Sequence, residues 1–218
     1  MKNARIWFEK RDECKYISHL DLNRVMMRAI QKSKLPVWYT EGFNIHPYIT
    51  FALPLSLGFV GVREPMDCRI EDDNFDFMTI PELLNPCLPN GIKVISANEP
   101  KYKAGDISSA EYKISLVSNY ISNEELYSSF TELLKKDEIL IEKKTKKGVK
   151  TVNLKEQILS FDISNSDKIC LTLVLPCGST NNVNPNLLIK AYENAMQNEV
   201  FAEIIRTDIF VEGGSRFE

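Results

Sequence analysis

The chain has 218 residues, 44% hydrophobic and 26% charged, with nine Gly and ten Pro, so it can bury a core and falls outside the disordered and fibrous classes. A formal net charge of -3 argues against a uniformly basic nucleic-acid-coating protein, although a whole-chain sum hides local patches. Five scattered Cys, without a C-x-x-C pair or metal-spaced His, and the lack of any long apolar window predict a cytoplasmic protein with reduced thiols, no metal, no cofactor and no membrane contact.

The first predicted strand is 4 to 9, where Ile6 and Phe8 alternate with Arg5, Trp7 and Glu9. A helix follows, opened by the Ser18/Asp21 capping box, with an apolar stripe of Leu22, Val25, Met26, Ala29 and Ile30, and Pro36 stops it. Extended runs at 37 to 40, 49 to 53 and 66 to 71 come next, then a short helix opened by Thr79 and Glu82, then a strand at 92 to 97. The polar run 101 to 109 is the expected linker. After it the order returns: a strand at 111 to 117, a helix capped by Ser122 and Glu125, a lysine-bearing hairpin from 139, strands at 158 to 163 and 169 to 175, a helix starting at Asn184-Pro185 with the stripe Leu188, Ala191, Tyr192, Ala195, and a strand at 202 to 211.

Both halves thus run strand, helix, strand, strand, helix, strand. This predicts an α+β protein of two tandem ferredoxin-like (βαββαβ) domains with antiparallel sheets, residues 1 to 105 and 106 to 218. Each helix has one apolar stripe to bury, which places the helices on one sheet face and leaves the other face free for contact.

Residues 16 to 58 hold both histidines and three of the ten prolines. His19 falls in the first turn of the helix capped by Ser18, where free N–H groups and the dipole favour an anion; it either donates to a phosphate there or bonds the neighbouring backbone. Asp21, Arg24 and Arg28 share that helix. His46 follows Gly42, Phe43 and Asn44 in a loop closed by Pro47, a setting that suits a general acid or base, a ligand contact, or a mere tie for the loop. Tyr39 and Phe43 flank it, and aromatics beside a rigid loop offer flat ligands a stacking surface.

Charge is segregated along the chain. Residues 1 to 36 carry nine Lys/Arg against four Asp/Glu, residues 64 to 82 one Arg against seven acids, and residues 135 to 155 eight Lys against three acids. The second basic stretch includes Lys143, Lys144, Lys146 and Lys147, which read either as a phosphate-binding patch or as a solvated hairpin.

The run Tyr16-Ile17-Ser18-His19-Leu20-Asp21-Leu22, with Arg24, Leu35-Pro36-Val37, Tyr39, Gly42-Phe43-Asn44, His46-Pro47, Phe51-Ala52, Pro54-Leu55 and Gly58, resembles the signature of an uncharacterised bacterial domain family linked to radical SAM proteins, fused behind them or encoded as separate chains. Ile45 departs from it, standing where that family has Pro. The chain lacks the C-x-x-x-C-x-x-C triad that holds a radical SAM cluster, so the resemblance implies an accessory partner rather than the enzyme. A wider similarity, resting on His46 and Gly213-Gly214, is to the RAMP (Cas6-like) RNA-processing proteins of CRISPR systems.

Three functions follow as expectations. The first is a non-enzymatic module that binds RNA or a nucleotide for a radical SAM enzyme in RNA modification, using Ser18, His19, Asp21, Arg24, Arg28, Tyr39, Gly42, Phe43, Asn44, His46 and the four lysines. The second is a metal-independent endoribonuclease with His46 and His19 as candidate catalytic groups. The third is a protein-interaction domain without its own ligand.

Overall fold

The computed structural model describes residues 1–145, 148–178 and 181–218, which divide into two units, 1–107 with 206–218, and 108–205. The chain is a mixed α+β protein with mostly antiparallel strands and few helices.

In the first unit, strand β1 (Lys2–Lys10) turns Ala4, Ile6 and Phe8 to one face, as the period-two pattern requires. Helix α1 (His19–Ser33) starts where Ser18 caps it: the Ser18 hydroxyl accepts from the Asp21 amide at 3.1 Å and donates to the Asp21 carboxylate at 2.7 Å. Its buried stripe of Leu22, Met26, Ala29 and Ile30 meets Ala4, Ile6 and Phe8. Strands β2 (Ile49–Phe51), β3 (Val60–Ile70) and β4 (Ile92–Asn98), with the short helix α2 (Ile80–Leu84) between the last two, complete the sequence of elements. The sheet order is β4-β1-β3-β2, antiparallel throughout, and Met66, Cys68, Ile70, Ile80, Leu84 and Val94 fill the same core. Each such side chain removed from water contributes about 1.5–3 kcal/mol.

Two local expectations fail here for physical reasons. Strand β3 begins at Val60 rather than 66, because pairing with β1 overrides the breaking tendency of Gly61 and Pro65, which stand opposite Lys10 and Trp7. Thr79 makes no side-chain cap; Asp76 accepts from the Met78 amide at 3.0 Å and opens a 3-10 turn over Phe77–Thr79 that runs into α2.

The helix-free face of this unit is covered in part, around Arg5 and Trp7, where the expectation is an open face. The chain returns over it through a turn at Gly213 and Gly214, both at positive φ (85° and 80°), with the Val211 amide donating to Ser215 O at 2.9 Å. Phe217 is thereby fully buried, edge-on to Trp7 at 6.2 Å. Arg5 lies 4.0 Å from the Phe217 ring, clamps Asp67 through Nε and Nη2 at 2.7 and 2.8 Å, and donates to the main-chain oxygens of Glu218 and Tyr102.

The second unit contains β5 (Ile107–Val117, from Ser108 on), α3 (Asn123–Lys135), the hairpin β6 (Leu140–Thr145) and β7 (Gly148–Asn153), β8 (Ser160–Asn165), β9 (Ile169–Pro176) and α4 (Asn186–Met196). The order is β5-β9-β8, antiparallel, and the hairpin forms its own two-stranded sheet. The Ser122/Glu125 capping box forms as the sequence predicts. Helices α3 and α4 meet through stacked Phe130 and Tyr192 rings at 4.7 Å. In α4 the buried stripe is Leu188, Ile189, Ala191 and Tyr192; Ala195, expected inside, is exposed. The last strand, β10 (Phe201–Val211), supplies residues 201–205 to the second unit and 206–211 to the first.

Candidate nucleic-acid interface

Residues 37 to 48 fold into a narrow loop pinned to β3. The Trp38 amide donates to Arg69 O at 2.8 Å, the Tyr48 amide to Trp38 O at 2.9 Å, and the Thr40 amide to His46 O at 2.9 Å, with Tyr39 bridged to Pro47. Thr40 closes the tip: its hydroxyl accepts from the His46 amide at 3.2 Å and stands 3.2 Å from both Asn44 O and His46 Nδ1. Gly42 takes a φ of 108°, which lets the chain reverse. The consequence is that Phe43 projects entirely into solvent at 114% relative exposure, next to Ile45 at 66%. A phenyl ring in this position costs hydration and is held by the loop without packing on anything.

His46 is half-buried at the base of this tip. Its Nδ1 lies 2.7 Å from Asn44 O, and a carbonyl only accepts, so Nδ1 carries the proton and Nε2 is left as the acceptor of the neutral ring. Ile45, at the position where the resembled family has Pro, is exposed and leaves this hydrogen bonding intact.

At the base of the loop, Trp38 and Tyr48 meet edge-to-face at 5.5 Å, and the Arg69 guanidinium stands over both rings at 5.5 and 5.1 Å. Arg69 is exposed and makes no ion pair among the described residues. Beside it, a cavity of about 230 Å³ on the helix-free face of this unit is lined by Asn3, Arg5, Tyr48, Thr50, the strand residues Asp67, Cys68 and Arg69, and Pro100, Tyr102, Lys103 and Ala104.

The start of α1 has a different character. Asp21 sits in its first turn, held below the ordinary carboxylate range by the Ser18 hydroxyl and then by Arg24, whose Nη1 donates to it at 2.9 Å. The positive end of the helix therefore already faces a carboxylate, and Arg24 is turned toward it. Arg28, one turn on, is exposed and without an ion pair among the described residues. The His19 ring packs edge-to-face on Phe51 at 5.0 Å and makes no hydrogen bond among the described residues.

Beneath this helix start lies a buried charge cluster that the sequence did not suggest. Arg206 donates to Glu64 through Nε at 3.0 Å and through Nη2, and also to Leu53 O at 2.7 Å and Pro54 O at 3.4 Å. Lys10 reaches Lys15 O and Ile17 O at 3.4 and 3.3 Å, while burial pulls its ammonium below the usual lysine value against the opposing pull of Glu64. The cluster fixes the two backbone segments that carry the densest part of the motif, 15 to 18 and 53 to 58, which also meet through Gly58 N and Lys15 O at 2.8 Å.

The structure thus gathers Tyr39, Gly42, Phe43, Asn44 and His46 in one loop and Ser18, His19, Asp21, Arg24 and Arg28 on one helix, with no hydrogen bond or ring contact joining His19 to His46 among the described residues. Lys143 and Lys144 stand in β6 opposite Lys150 and Val149, in the second unit; Lys146 and Lys147 lie outside the described residues. The sequence reading missed Thr40, Arg69 and Lys103. A signal for Arg69 was present, since Asp67 and Arg69 are polar at a spacing of two in a strand whose alternate positions, Met66, Cys68 and Ile70, are apolar.

A family described as "Uncharacterized protein conserved in bacteria (DUF2344)" matches residues 3–185. No curated protein matches the sequence. Among solved structures, a putative glycine cleavage system transcriptional repressor aligns at 8% identity over 94% of this chain and 98% of its own, with a TM-score of 0.25, too low to carry an argument.

Proposed function

The chain belongs to the uncharacterised bacterial family DUF2344, and we propose that it is a non-enzymatic accessory protein that binds RNA, or a nucleotide-bearing substrate, for a partner radical SAM enzyme in RNA modification. The observation that carries this reading is Phe43, a fully exposed ring at the tip of a hydrogen-bonded loop whose base carries Arg69, stacked on two rings and without an ion pair among the described residues. Single-stranded nucleic acid is held by this combination, a stacking platform with a cation near the backbone. The radical SAM partner rests on the motif alone. The element order and the strand orders β4-β1-β3-β2 and β5-β9-β8 support reading each unit as ferredoxin-like. Five cysteines outside disulfides favour a reducing compartment, consistent with the cytoplasm; among the described residues no helix is long and apolar enough to cross a membrane.

Binding of total cellular RNA at low and moderate salt tests the reading. Phe43→Ala is expected to weaken it roughly tenfold, since one stacked base is worth about 1–3 kcal/mol. Absence of salt-dependent binding, or an unchanged affinity in Phe43→Ala, removes it. The free Nε2 of His46 favours a second reading, a metal-independent endoribonuclease. The same RNA incubated with the protein in chelator decides that one: it stands only if cleavage occurs and is lost in His46→Ala.

A further inference from the structure

The cavity beside Arg69 has the size and chemistry of a site for a single nucleotide. Its volume, about 230 Å³, is below the ~300–1,000 Å³ of pockets for drug-sized ligands, so it takes a small ligand or one unit of a larger one. Its walls include two phenols, Tyr48 and Tyr102, and its rim two cations, Arg69 and Lys103, both exposed and without an ion pair among the described residues. The Asp67 carboxylate on its floor is already neutralised by the bidentate Arg5 clamp, and the Asp106 carboxylate accepts from the Lys103 amide at 2.7 Å. No group of three or more His, Cys, Asp or Glu able to hold a metal ion occurs among the described residues.

We propose that this cavity binds one nucleoside monophosphate unit, with its base against Tyr48 and Tyr102, its phosphate between Arg69 and Lys103, and its polar edge facing Asn3 and Thr50. Each part of the ligand meets the chemistry it needs. A guanidinium standing over aromatic rings has paired donors for phosphate oxygens, and Lys103 adds a point charge. Thr50 and Asn3 are exposed polar groups at the level of β2 and β1, able to read base donors and acceptors. Tyr48 also belongs to the loop that carries Phe43, which puts two stacking surfaces on one strand-loop segment. The assignment rests on the RNA-binding reading and deepens it by naming the unit held; a free nucleotide and a nucleotide within a strand supply the same chemistry.

Two measurements separate these sources. Amide spectra of the full-length protein are recorded with AMP, GMP, CMP, UMP and inorganic phosphate, and oligonucleotide affinity is measured against salt for the wild type, Arg69→Gln, Lys103→Gln and Phe43→Ala. Mononucleotide-induced shifts at residues 48 to 50, 67 to 69 and 102 to 104 are expected. Arg69→Gln and Lys103→Gln are each expected to lower oligonucleotide affinity roughly fivefold or more and to reduce the salt slope by about one. Both side chains are exposed, and an unchanged thermal melt confirms that the variants fold. Shifts with mononucleotide but no oligonucleotide binding keep the cavity assignment and remove RNA as its source. Oligonucleotide binding that falls in Phe43→Ala yet is untouched in both cavity variants overturns the assignment and leaves the RNA-binding reading standing. Inorganic phosphate giving the same shifts as every mononucleotide at equal concentration also overturns it, because the rings would then contribute nothing.

Discussion

Asp21 shows how one side chain can set the character of a helix end. Its carboxylate accepts hydrogen bonds from the Ser18 hydroxyl and the Arg24 guanidinium, both of which favour the charged form, so its pKa lies below the ordinary aspartate value. A depressed folded pKa means that the group stabilises the fold above the unfolded value, near 3.9, and that this contribution is lost as pH falls through the folded pKa. Ser18→Ala removes the larger cause, so an NMR titration of the Asp21 carboxyl is expected to show its midpoint rising toward the ordinary value; an unmoved midpoint would make Arg24 the dominant partner. Cys68 is the opposite case: burial, and then the neighbouring Asp67 carboxylate, push its thiol up to about 12, which keeps it neutral.

At the scale of elements, the capped helices test how far local signals govern local structure. Ser122→Ala takes away both the hydroxyl that receives the Glu125 amide at 3.2 Å and half of a reciprocal box, and is expected to cost α3 about 1 kcal/mol, read as faster exchange of the Glu125 and Leu126 amides. That box, the Ser18 cap and the alternation in β1 and β9 were legible because their determinants lie within four residues of one another. The start of β3 was not, because its first residues earn their strand conformation from β1, more than fifty positions earlier. The site divides in the same way. Gly42, Phe43 and His46 announce a tight aromatic loop in sequence, whereas the approach of Arg69 and Lys103 to that loop depends on strand pairing and on a returning chain. Ala195 marks the limit of periodicity itself: α4 rotates its buried stripe so that Ile189 is inside and Ala195 is not.

The scale of the first unit brings in partners that lie far apart along the chain. Glu64 and Arg206 are separated by 142 positions and are both buried, so neither charge has water to fall back on. Replacing one partner of such a pair strands the other; Arg206→Ala is expected to cost about 3–5 kcal/mol, measured by denaturant unfolding, and to release the Leu53 and Pro54 carbonyls together with the motif segment they anchor. Glu64→Gln, which keeps shape and part of the hydrogen bonding, is expected to cost less, and equal losses in the two variants would show that charge pairing is not the determinant.

The split composition of that unit also has a consequence for how the protein is made. A chain leaves the ribosome from its N-terminus at about 5–20 residues per second, and a domain contiguous in sequence can close as soon as its last residue emerges. Residues 1–107 cannot close in this way, since Glu64 waits for Arg206 and Trp7 for Phe217, whereas residues 108–205 contain all of their own unit. The second unit is therefore able to mature first although it is translated later, and the nascent first unit passes through a period in which a carboxylate and an indole destined for the interior are open to water and to other chains. For roughly a hundred residues of synthesis, the half that carries the motif is the half that depends on protection.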